Sequence, residues 1–521
     1  MDEENNVLRL AKPKKKGLWR LIFSRFLIIG LLIVLQILLL IMLFGTLANA
    51  LPFIEIIEPI FTIIVIFYLF NCKMDTSAKL TWLVVIALAP IPGAIFLIYC
   101  KLNVGQRSTT FRVSKLLEET KDAIVQNPKV IDDLKGDTSG TLELNHYINR
   151  DGCFPIYENT ETTFFPIGEQ KFQAMLVELE KAEKFIFMEY FIIEEGYMWG
   201  RILDILARKI KQGVDVRVMY DGLCEISTLP VNYPKLLENL GIKAKLFAPI
   251  TPFVSTHYNY RDHRKILVID GNVGFNGGVN LADEYINKIE RFGHWKDTAI
   301  MLKGAAVQSL TLMFLQMWNI TEKEADFSQA YIPAVQGKTD GFVMPYGDSP
   351  LDDDKVGESV YMDILYKARR YVHIMTPYLI LDGELQTALK YAAERGVDVK
   401  LILPGIPDKG TAYSLAKSHY SSLIASNVKI YEYSPGFVHA KVVASDDERA
   451  VVGTINFDYR SLYHHFECAT YMYKTSCIVD IEKDFQATLE KCRVVTPETI
   501  KNEKFSYKLK GAILKLFAPL F

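Results

Sequence analysis

The strongest constraint on the fold is a stretch that occurs twice with the same internal spacing. The first copy, HRKILVIDGNVGFNGGVN, carries His263, Lys265, Asp270, Gly277, Gly278 and Asn280. The second, HAKVVASDDERAVVGTIN, carries His439, Lys441, Asp446, Gly453, Thr454 and Asn456. In each copy a β-branched run follows the lysine, Ile266 to Ile269 in one and Val442-Val443 in the other, which argues for a strand. Residues i and i+2 of a strand share a face, so histidine and lysine point the same way. Asp270 precedes Gly271-Asn272, and Asp446 lies in the polar run Ser445 to Arg449, so each strand ends in a turn before a second apolar run. Each copy is expected to be a hairpin presenting an imidazole beside an ammonium.

A single His-x-Lys pair on a strand is an ordinary surface or core pair; two in one polar and glycine frame point to shared chemistry. Substitution at a phosphodiester needs a nucleophile on one side of phosphorus and a proton donor for the leaving oxygen on the other. Two imidazoles can divide those roles. Lys265 and Lys441 would hold the non-bridging oxygens as charge develops on them. No metal and no other cofactor is then required.

The paired His-x-Lys-x-x-x-x-Asp frames, with Gly-Gly-x-Asn and Gly-Thr-x-Asn, resemble the phospholipase D superfamily. From about Leu51 to the C-terminus the surrounding sequence resembles the bacterial cardiolipin synthases. The resemblance implies an α/β fold of two duplicated domains with pseudo-twofold symmetry, preceded by N-terminal transmembrane helices. It implies a catalytic set of His263, Lys265, Asp270, His439, Lys441 and Asp446, with the nucleophile placed at His263 and the acid/base at His439 by analogy, although the two frames are nearly symmetric. Asp270 and Asp446 are read as structural or supporting. Asn280, Asn456, Gly278 and Thr454 are expected to bind phosphate or support the histidines. Glu284 and Glu467 follow the motifs and resemble acidic positions of the family that orient the catalytic histidines. Trp295, Asp297 and Trp318 also fall where the family has similar residues, with core packing as their default reading, and Arg460 is read as holding a phosphate or an internal carboxylate.

The halves align beyond the motifs. Lys184 to Ile193 (KFIFMEYFII), a helix through Leu203, Leu206 and Ile210, and a strand Val214 to Tyr220 form a strand-helix-strand unit. Tyr371 to Ile380, a helix through Leu385, Leu389 and Ala392, and Val397 to Leu403 repeat it. Gly213-Val214-Asp215-Val216 recurs as Gly396-Val397-Asp398-Val399, an offset of 396 − 213 = 183, against 439 − 263 = 176 for the histidines. One fold used twice would bring both motifs to one cleft. Glu189, in an otherwise apolar strand, is costly unless paired, and reads either as a satisfied buried carboxylate or as a site residue.

Three apolar stretches open the chain: Phe26 to Phe44, Leu51 to Phe70 and Leu80 to Tyr99. The first is uncharged and long enough to span a bilayer. The second holds Glu55, Glu58 and Pro59, and the third holds Pro90, Pro92 and Gly93, which predict a kink or re-entrant turn. A signal peptide is the rival reading for the first stretch, since Lys14 to Lys16 precede it and Ala48-Asn49-Ala50 looks like a cleavage site. The expected organisation is a membrane region over 1–105, a connector over 106–144, and duplicated domains over 145–335 and 336–521. Three spans with the basic run Lys12 to Arg25 inside would put the catalytic part outside the cytoplasm; Lys101, Arg107, Arg112 and Lys115 oppose that orientation. Seven cysteines in no pattern suggest no disulfide framework. The C-terminal YKLKGAILKLFAPLF mixes lysines with large apolar residues, which suits either an interfacial anchor or packing on the domain.

Lys and Arg number 59 against 61 Asp and Glu, which argues against a nucleic-acid partner. The expected activity is phosphatidyl transfer between two phosphatidylglycerol molecules in a membrane of anionic lipids, giving cardiolipin and glycerol through a phosphohistidine. A hydrolytic phospholipase D or a membrane-tethered nuclease would use the same residues. A non-catalytic scaffold would carry degenerate motifs, and both motifs are complete.

Overall fold

The structure is a computed structural model and describes residues 7–11, 42, 54–102, 107–152, 154–249, 260–331, 337–352 and 354–520. The first half contributes strands β1 (Thr160–Phe165), β2 (Phe185–Tyr190), β3 (Asp215–Asp221), β4 (Lys243–Phe247), β5 (Arg261–Asp262), β6 (Lys265–Ile269), β7 (Val273–Gly277), β8 (His294–Lys296) and β9 (Ala299–Gly304). The second contributes β10 (Phe342–Asp348), β11 (Tyr371–Met375), β12 (Leu379–Ile380), β13 (Asp398–Pro404), β14 (Lys429–Tyr433), β15 (Gly436–Val438), β16 (Val442–Ser445), β17 (Arg449–Gly453), β18 (Phe457–Asp458), β19 (His465–Tyr473) and β20 (Cys492–Val494).

The expected duplication is present, and among the described residues the second sheet adds one strand, β20, at its edge. The first sheet has the order β1-β9-β7-β6-β2-β3-β4 and the second β10-β19-β17-β16-β11-β13-β14-β20. In both, the last strand of the strand-helix-strand unit pairs parallel with its first, and the motif hairpin (β6/β7, β16/β17) pairs antiparallel. Every residue of β2 is buried, which is why KFIFMEYFII reads as continuously apolar rather than alternating. The crossover helices, Tyr197–Lys211 and Gly383–Glu394, are each followed by a glycine with positive φ, Gly213 at 91° and Gly396 at 92°. That left-handed position explains why the same Gly-Val-Asp-Val recurs: only glycine reverses the chain there without strain. One continuous core joins the halves, running from Phe187, Ile266 and Phe314 to Val343, Tyr346 and Val451.

The connector is more than a linker. In the helix Arg107–Thr120, Val113 enters the shared core, Leu117 packs against it, and the Arg112 guanidinium donates to the carbonyls of Asn319 at 3.2 Å and Glu322 at 3.1 Å.

The N-terminal expectation needs correction. Among the described residues no helix is long and apolar enough to cross a membrane. The stretch Phe26 to Phe44, apart from Met42, lies outside the described residues, as do the basic run Lys12 to Arg25 and the Ala48-Asn49-Ala50 site. The second stretch forms the helix Ile54–Asn71. The third is two 13-residue helices, Thr76–Leu88 and Pro90–Leu102. Each is about 20 Å long at 1.5 Å per residue, against about 30 Å of hydrocarbon. Pro90 supplies the break: it has no N–H to donate back and drives Ala89 off helical geometry, to φ −147° and ψ 82°. The three helices close on a small core of Val65, Leu69, Trp82, Ile86, Ala94 and Leu97, and leave Ile63, Phe67, Phe70, Leu88 and Phe96 exposed.

The C-terminal segment packs on the domain, one of its two expected readings. Its helix Phe505–Lys515 packs on the helix Gly410–Ala425, with Gly511 against the Ser414 carbonyl, while Phe505, Leu509, Ile513 and Leu516 stay exposed. The Thr81 hydroxyl donates to the Leu516 carbonyl at 2.7 Å, tying this segment to the N-terminal helices. Residues 7–11 dock on the first half. Leu8 N–H donates to Asp204 at 3.4 Å, Leu10 N–H to Glu195 at 3.2 Å, and Gly200 leaves room for the Leu8 carbonyl.

Candidate active site

Each motif histidine hangs between its own half and the other. Just before His263, β5 pairs parallel with the start of β19, and the His263 N–H donates to the Phe466 carbonyl at 2.9 Å. Just before His439, β15 pairs parallel with β8, and the His439 N–H donates to the Lys296 carbonyl at 2.7 Å. In both cases the residue after that carbonyl is a carboxylate that takes the same histidine's ring. His263 Nδ1 lies 2.9 and 3.0 Å from the two oxygens of Glu467, and His439 Nδ1 lies 2.6 Å from Asp297 Oδ2. The dyads are reciprocal: a first-half histidine on a second-half carboxylate, and the reverse. A carboxylate on Nδ1 fixes the ring and its tautomer and leaves Nε2 for chemistry.

The lysines sit as their i+2 spacing requires. Lys265 Nζ donates to the His263 carbonyl at 2.5 Å; Lys441 Nζ donates to the His439 carbonyl and lies 2.9 Å from His439 Nδ1. All four side chains are buried. Burial, then the neighbouring lysines, holds His263 well below the ordinary imidazole range and His439 down to about 4, the latter opposed by Asp297. Burial also brings Lys265 down to about 8 and Lys441 to about 7. It raises Glu467 well above the usual carboxylate range, so the His263–Glu467 pair rests with a neutral imidazole. A neutral imidazole is a nucleophile.

The two frames build those carboxylates by different means. A Cβ on Gly278 would stand 2.1 Å from Asp297 Oδ1, so glycine there makes room for the carboxylate. At the equivalent place the Thr454 hydroxyl donates to Glu467. Asn280 accepts from the Ile192 N–H at 3.1 Å and donates to the Tyr285 hydroxyl at 2.8 Å; Asn456, like Asn280, lines the cavity. That cavity has a volume of about 810 Å³. Its lining includes both histidines, the exposed Arg460 near its polar groups, and apolar Leu223, Ile226, Phe292 and Ile380.

Two sequence expectations are corrected, and one open reading is decided. Asp270 and Asp446 do not reach the site. They lie five residues past the lysines, about 17 Å along a strand. Asp270 accepts backbone N–H groups of Glu183, Lys184 and Phe185 at 2.7–2.8 Å, and Asp446 those of Arg369, Arg370 and Tyr371 at 2.8–2.9 Å. Both have positive φ, 53° and 58°, in the hairpin turn. Glu284 lines the cavity but orients no histidine; Arg291 holds it at 2.8 Å. Glu189 is a buried carboxylate behind the site, paired through Oε1 with Arg264 Nε at 2.6 Å.

Asp297, read as core, is the true counterpart of Glu467. Its offset from Glu467 is 467 − 297 = 170 rather than 176, and that slip hides the equivalence. The triplets Trp295-Lys296-Asp297, at the end of β8, and His465-Phe466-Glu467, at the start of β19, carry it. Trp295 lies against His439 with ring centroids 5.4 Å apart, and His465 against His263 at 5.3 Å. Trp318 is core, as expected, under the cations of Arg217 and Lys245.

Two imidazoles on one cavity, each with a carboxylate behind it and a lysine beside it, make the arrangement expected of the paired His-x-Lys frames. Comparison with known proteins agrees. Residues 175–318 and 361–489 match the family described as cardiolipin synthase, PLD-like domain. The chain is 33% identical over 475 residues to a cardiolipin synthase of Alkalihalophilus pseudofirmus, covering 89% of this chain and 93% of that one. It is 58% identical over 459 residues to an uncharacterized protein of Streptococcus mutans, covering 87% and 99%. Among solved structures, the phosphatidylserine synthase of Haemophilus influenzae shares the fold with TM-score 0.53 at 16% identity, covering 73% of this chain and 97% of that one. The chain belongs to the cardiolipin synthase family of phospholipase D-like enzymes, which modify phospholipids.

Proposed function

We propose that the enzyme is a membrane-associated phosphatidyl transferase that converts two phosphatidylglycerol molecules to cardiolipin and glycerol. His263 Nε2 attacks phosphorus; the phosphorus–oxygen bond to the departing glycerol breaks, and protonated His439 gives that oxygen its proton. The bound phosphodiester brings a negative charge beside His439, which raises its affinity for the proton. His439, now neutral, takes the hydroxyl proton of a second phosphatidylglycerol, whose oxygen attacks phosphorus and breaks the phosphorus–nitrogen bond. Lys265 and Lys441 balance the charge on the non-bridging oxygens.

The observation that carries this reading is the pair of reciprocal histidine–carboxylate dyads on one cavity. The apolar part of the lining suits a lipid. The exposed apolar side chains of residues 54–102 and of the helix Phe505–Lys515, joined through Thr81 and Leu516, support approach from a lipid surface. The docking of residues 7–11 on the first half supports an orientation in which they lie on the same face as the catalytic halves.

The test is purified protein in vesicles of labelled phosphatidylglycerol, alongside His263→Ala and His439→Ala. Cardiolipin and glycerol from the parent, lost in both variants, is the expected result. Phosphatidic acid without cardiolipin would move the assignment to hydrolysis, and no lipid turnover would sink both.

A further inference from the structure

The duplicated architecture gives each catalytic histidine a neighbour two residues before the carboxylate that holds it. For His439 the neighbour is Trp295, an apolar wall. For His263 it is His465. His465 is 7% exposed, and among the described residues neither of its ring nitrogens has a hydrogen-bond partner. Whichever tautomer it adopts, a neutral imidazole offers one N–H and one lone pair, and buried polar groups are nearly always matched. The ring lines the same cavity as His263.

We propose that His263, His465 and Glu467 form a binding site for a divalent transition-metal ion of the zinc class, and that Zn²⁺ there switches the enzyme off by capturing the His263 imidazole. The inhibitory half of this inference rests on the proposed role of His263; the binding half does not. One donor atom from each of the three residues lies within 4.8 Å of the other two. His465 Nδ1 is 3.6 Å from Glu467 Oε1, which is 2.9 Å from His263 Nδ1. Zinc takes imidazole nitrogen and carboxylate oxygen at about 2.0–2.2 Å, which sets neighbouring donors of a tetrahedral site about 3.3 Å apart. Opening the His263–Glu467 contact by a few tenths of an ångström and drawing His465 inward meets that spacing. Two imidazoles and one carboxylate, with the fourth position facing the cavity, is a donor set suited to zinc and unsuited to Mg²⁺ or Ca²⁺, which take oxygen.

The nearby ammonium groups of Lys265 and Lys441 repel a dication, so the affinity falls short of a closed structural zinc site. That suits a reversible brake. The ion does no work in the reaction: bound to the Nδ1 lone pair of His263, it leaves the ring proton on Nε2, which then has no lone pair with which to attack phosphorus. The His439 side has no equivalent site, because Trp295 cannot ligate. A single ion therefore acts on one of the two histidines only.

The test uses the full chain in detergent, stripped with a chelator. Zn²⁺ binding is measured by competition with a chromogenic chelator, Co²⁺ by the visible absorption of a four-coordinate site, and turnover by labelled phosphatidylglycerol at each free Zn²⁺. One Zn²⁺ per chain is expected, with turnover falling roughly tenfold or more at saturation and recovering when the chelator is restored. In His465→Asn, Zn²⁺ should bind roughly tenfold or more weakly, and the variant's own turnover should no longer respond over that range. Equal zinc affinity in His465→Asn, or zinc bound with turnover unchanged, overturns the proposal. If the stripped parent turns over no lipid, the activity reading has failed, and zinc stoichiometry with the Co²⁺ spectrum still decides the site. If His465→Asn does not fold, His465→Gln replaces it, and the parent's melting temperature must rise with Zn²⁺ while the variant's does not.

Discussion

Replacing Asp297 by Asn separates the two histidine roles. Asp297 lies in the first half, yet its carboxylate is 2.6 Å from His439 Nδ1 in the second, in a fully buried pair. Asn removes the charge that favours protonated His439 and can turn an amide N–H toward Nδ1, which leaves the ring proton on Nε2, the wrong tautomer for Nε2 to take the acceptor's hydroxyl proton. Losses of this kind reach about a hundredfold to ten-thousandfold in rate, about 2.7–5.4 kcal/mol of transition-state stabilisation. The informative substrate is a phosphatidyl ester of p-nitrophenol, whose leaving group needs no proton. With it, rapid mixing of Asp297→Asn should still release a near-normal burst of nitrophenolate, followed by slow transfer to the lipid hydroxyl. Glu467→Gln, which strikes His263, should lose the burst itself. Equal loss of burst rate in both variants would refute the assignment of His263 as nucleophile and His439 as acid/base. Less than threefold loss of phosphatidylglycerol turnover in both would refute the importance of the reciprocal dyads.

Turnover should decline as pH rises through about 7 to 8, because buried Lys441 and Lys265 lose their protons there and the charge that steadies the phosphate goes with them; in a pH–rate profile of Lys441→Arg the limb should begin higher, near 8, where Lys265 alone titrates, since guanidinium stays charged. Asp446→Ala should leave turnover unchanged and lower stability by about 2–4 kcal/mol, through three lost backbone hydrogen bonds and a positive φ that alanine resists; a thermal melt beside an activity assay checks it. Gly278→Ala should cut turnover roughly tenfold or more by pushing Asp297 off His439, and His439 should become more accessible to diethyl pyrocarbonate.

Most of the fold was legible in the sequence, because duplication repeats its own signals: the Gly-Val-Asp-Val after each crossover helix and the hairpin frames mark equivalent places in both sheets. The chemistry was legible where it lies on one strand, as with His263 and Lys265. It was not legible where it depends on pairing between halves. Nothing local marks Asp297 as a histidine partner, since the contact comes from β8 lying beside β15. Asp270 shows the opposite error: a residue tied to the motif by spacing was grouped with the chemistry, although its five-residue distance along a strand already carries it to the far end. The break in the third apolar stretch was legible too, because Pro90 has no N–H to continue a helix, and the two helices of that stretch meet there. His465 stood outside both motifs, and only its place on β19 gives it meaning.

The reciprocal dyads make this polypeptide the covalent equivalent of a homodimer, in which each copy supplies the carboxylate that holds the other's histidine. A true homodimer must express every substitution twice, once on each side of its axis. Joining the copies in one chain lifts that rule, and the pair has used the freedom: Asp297 faces Glu467 across the pseudo-axis, Gly278 faces Thr454, and Trp295 faces His465. Lys171 reaches toward the Val279 carbonyl at 3.5 Å, where the Tyr361 hydroxyl meets the equivalent Ile455 carbonyl at 2.8 Å. Two histidines that began as the same residue can thereby specialise, one to attack and one to carry the proton, which identical subunits could do only by turns.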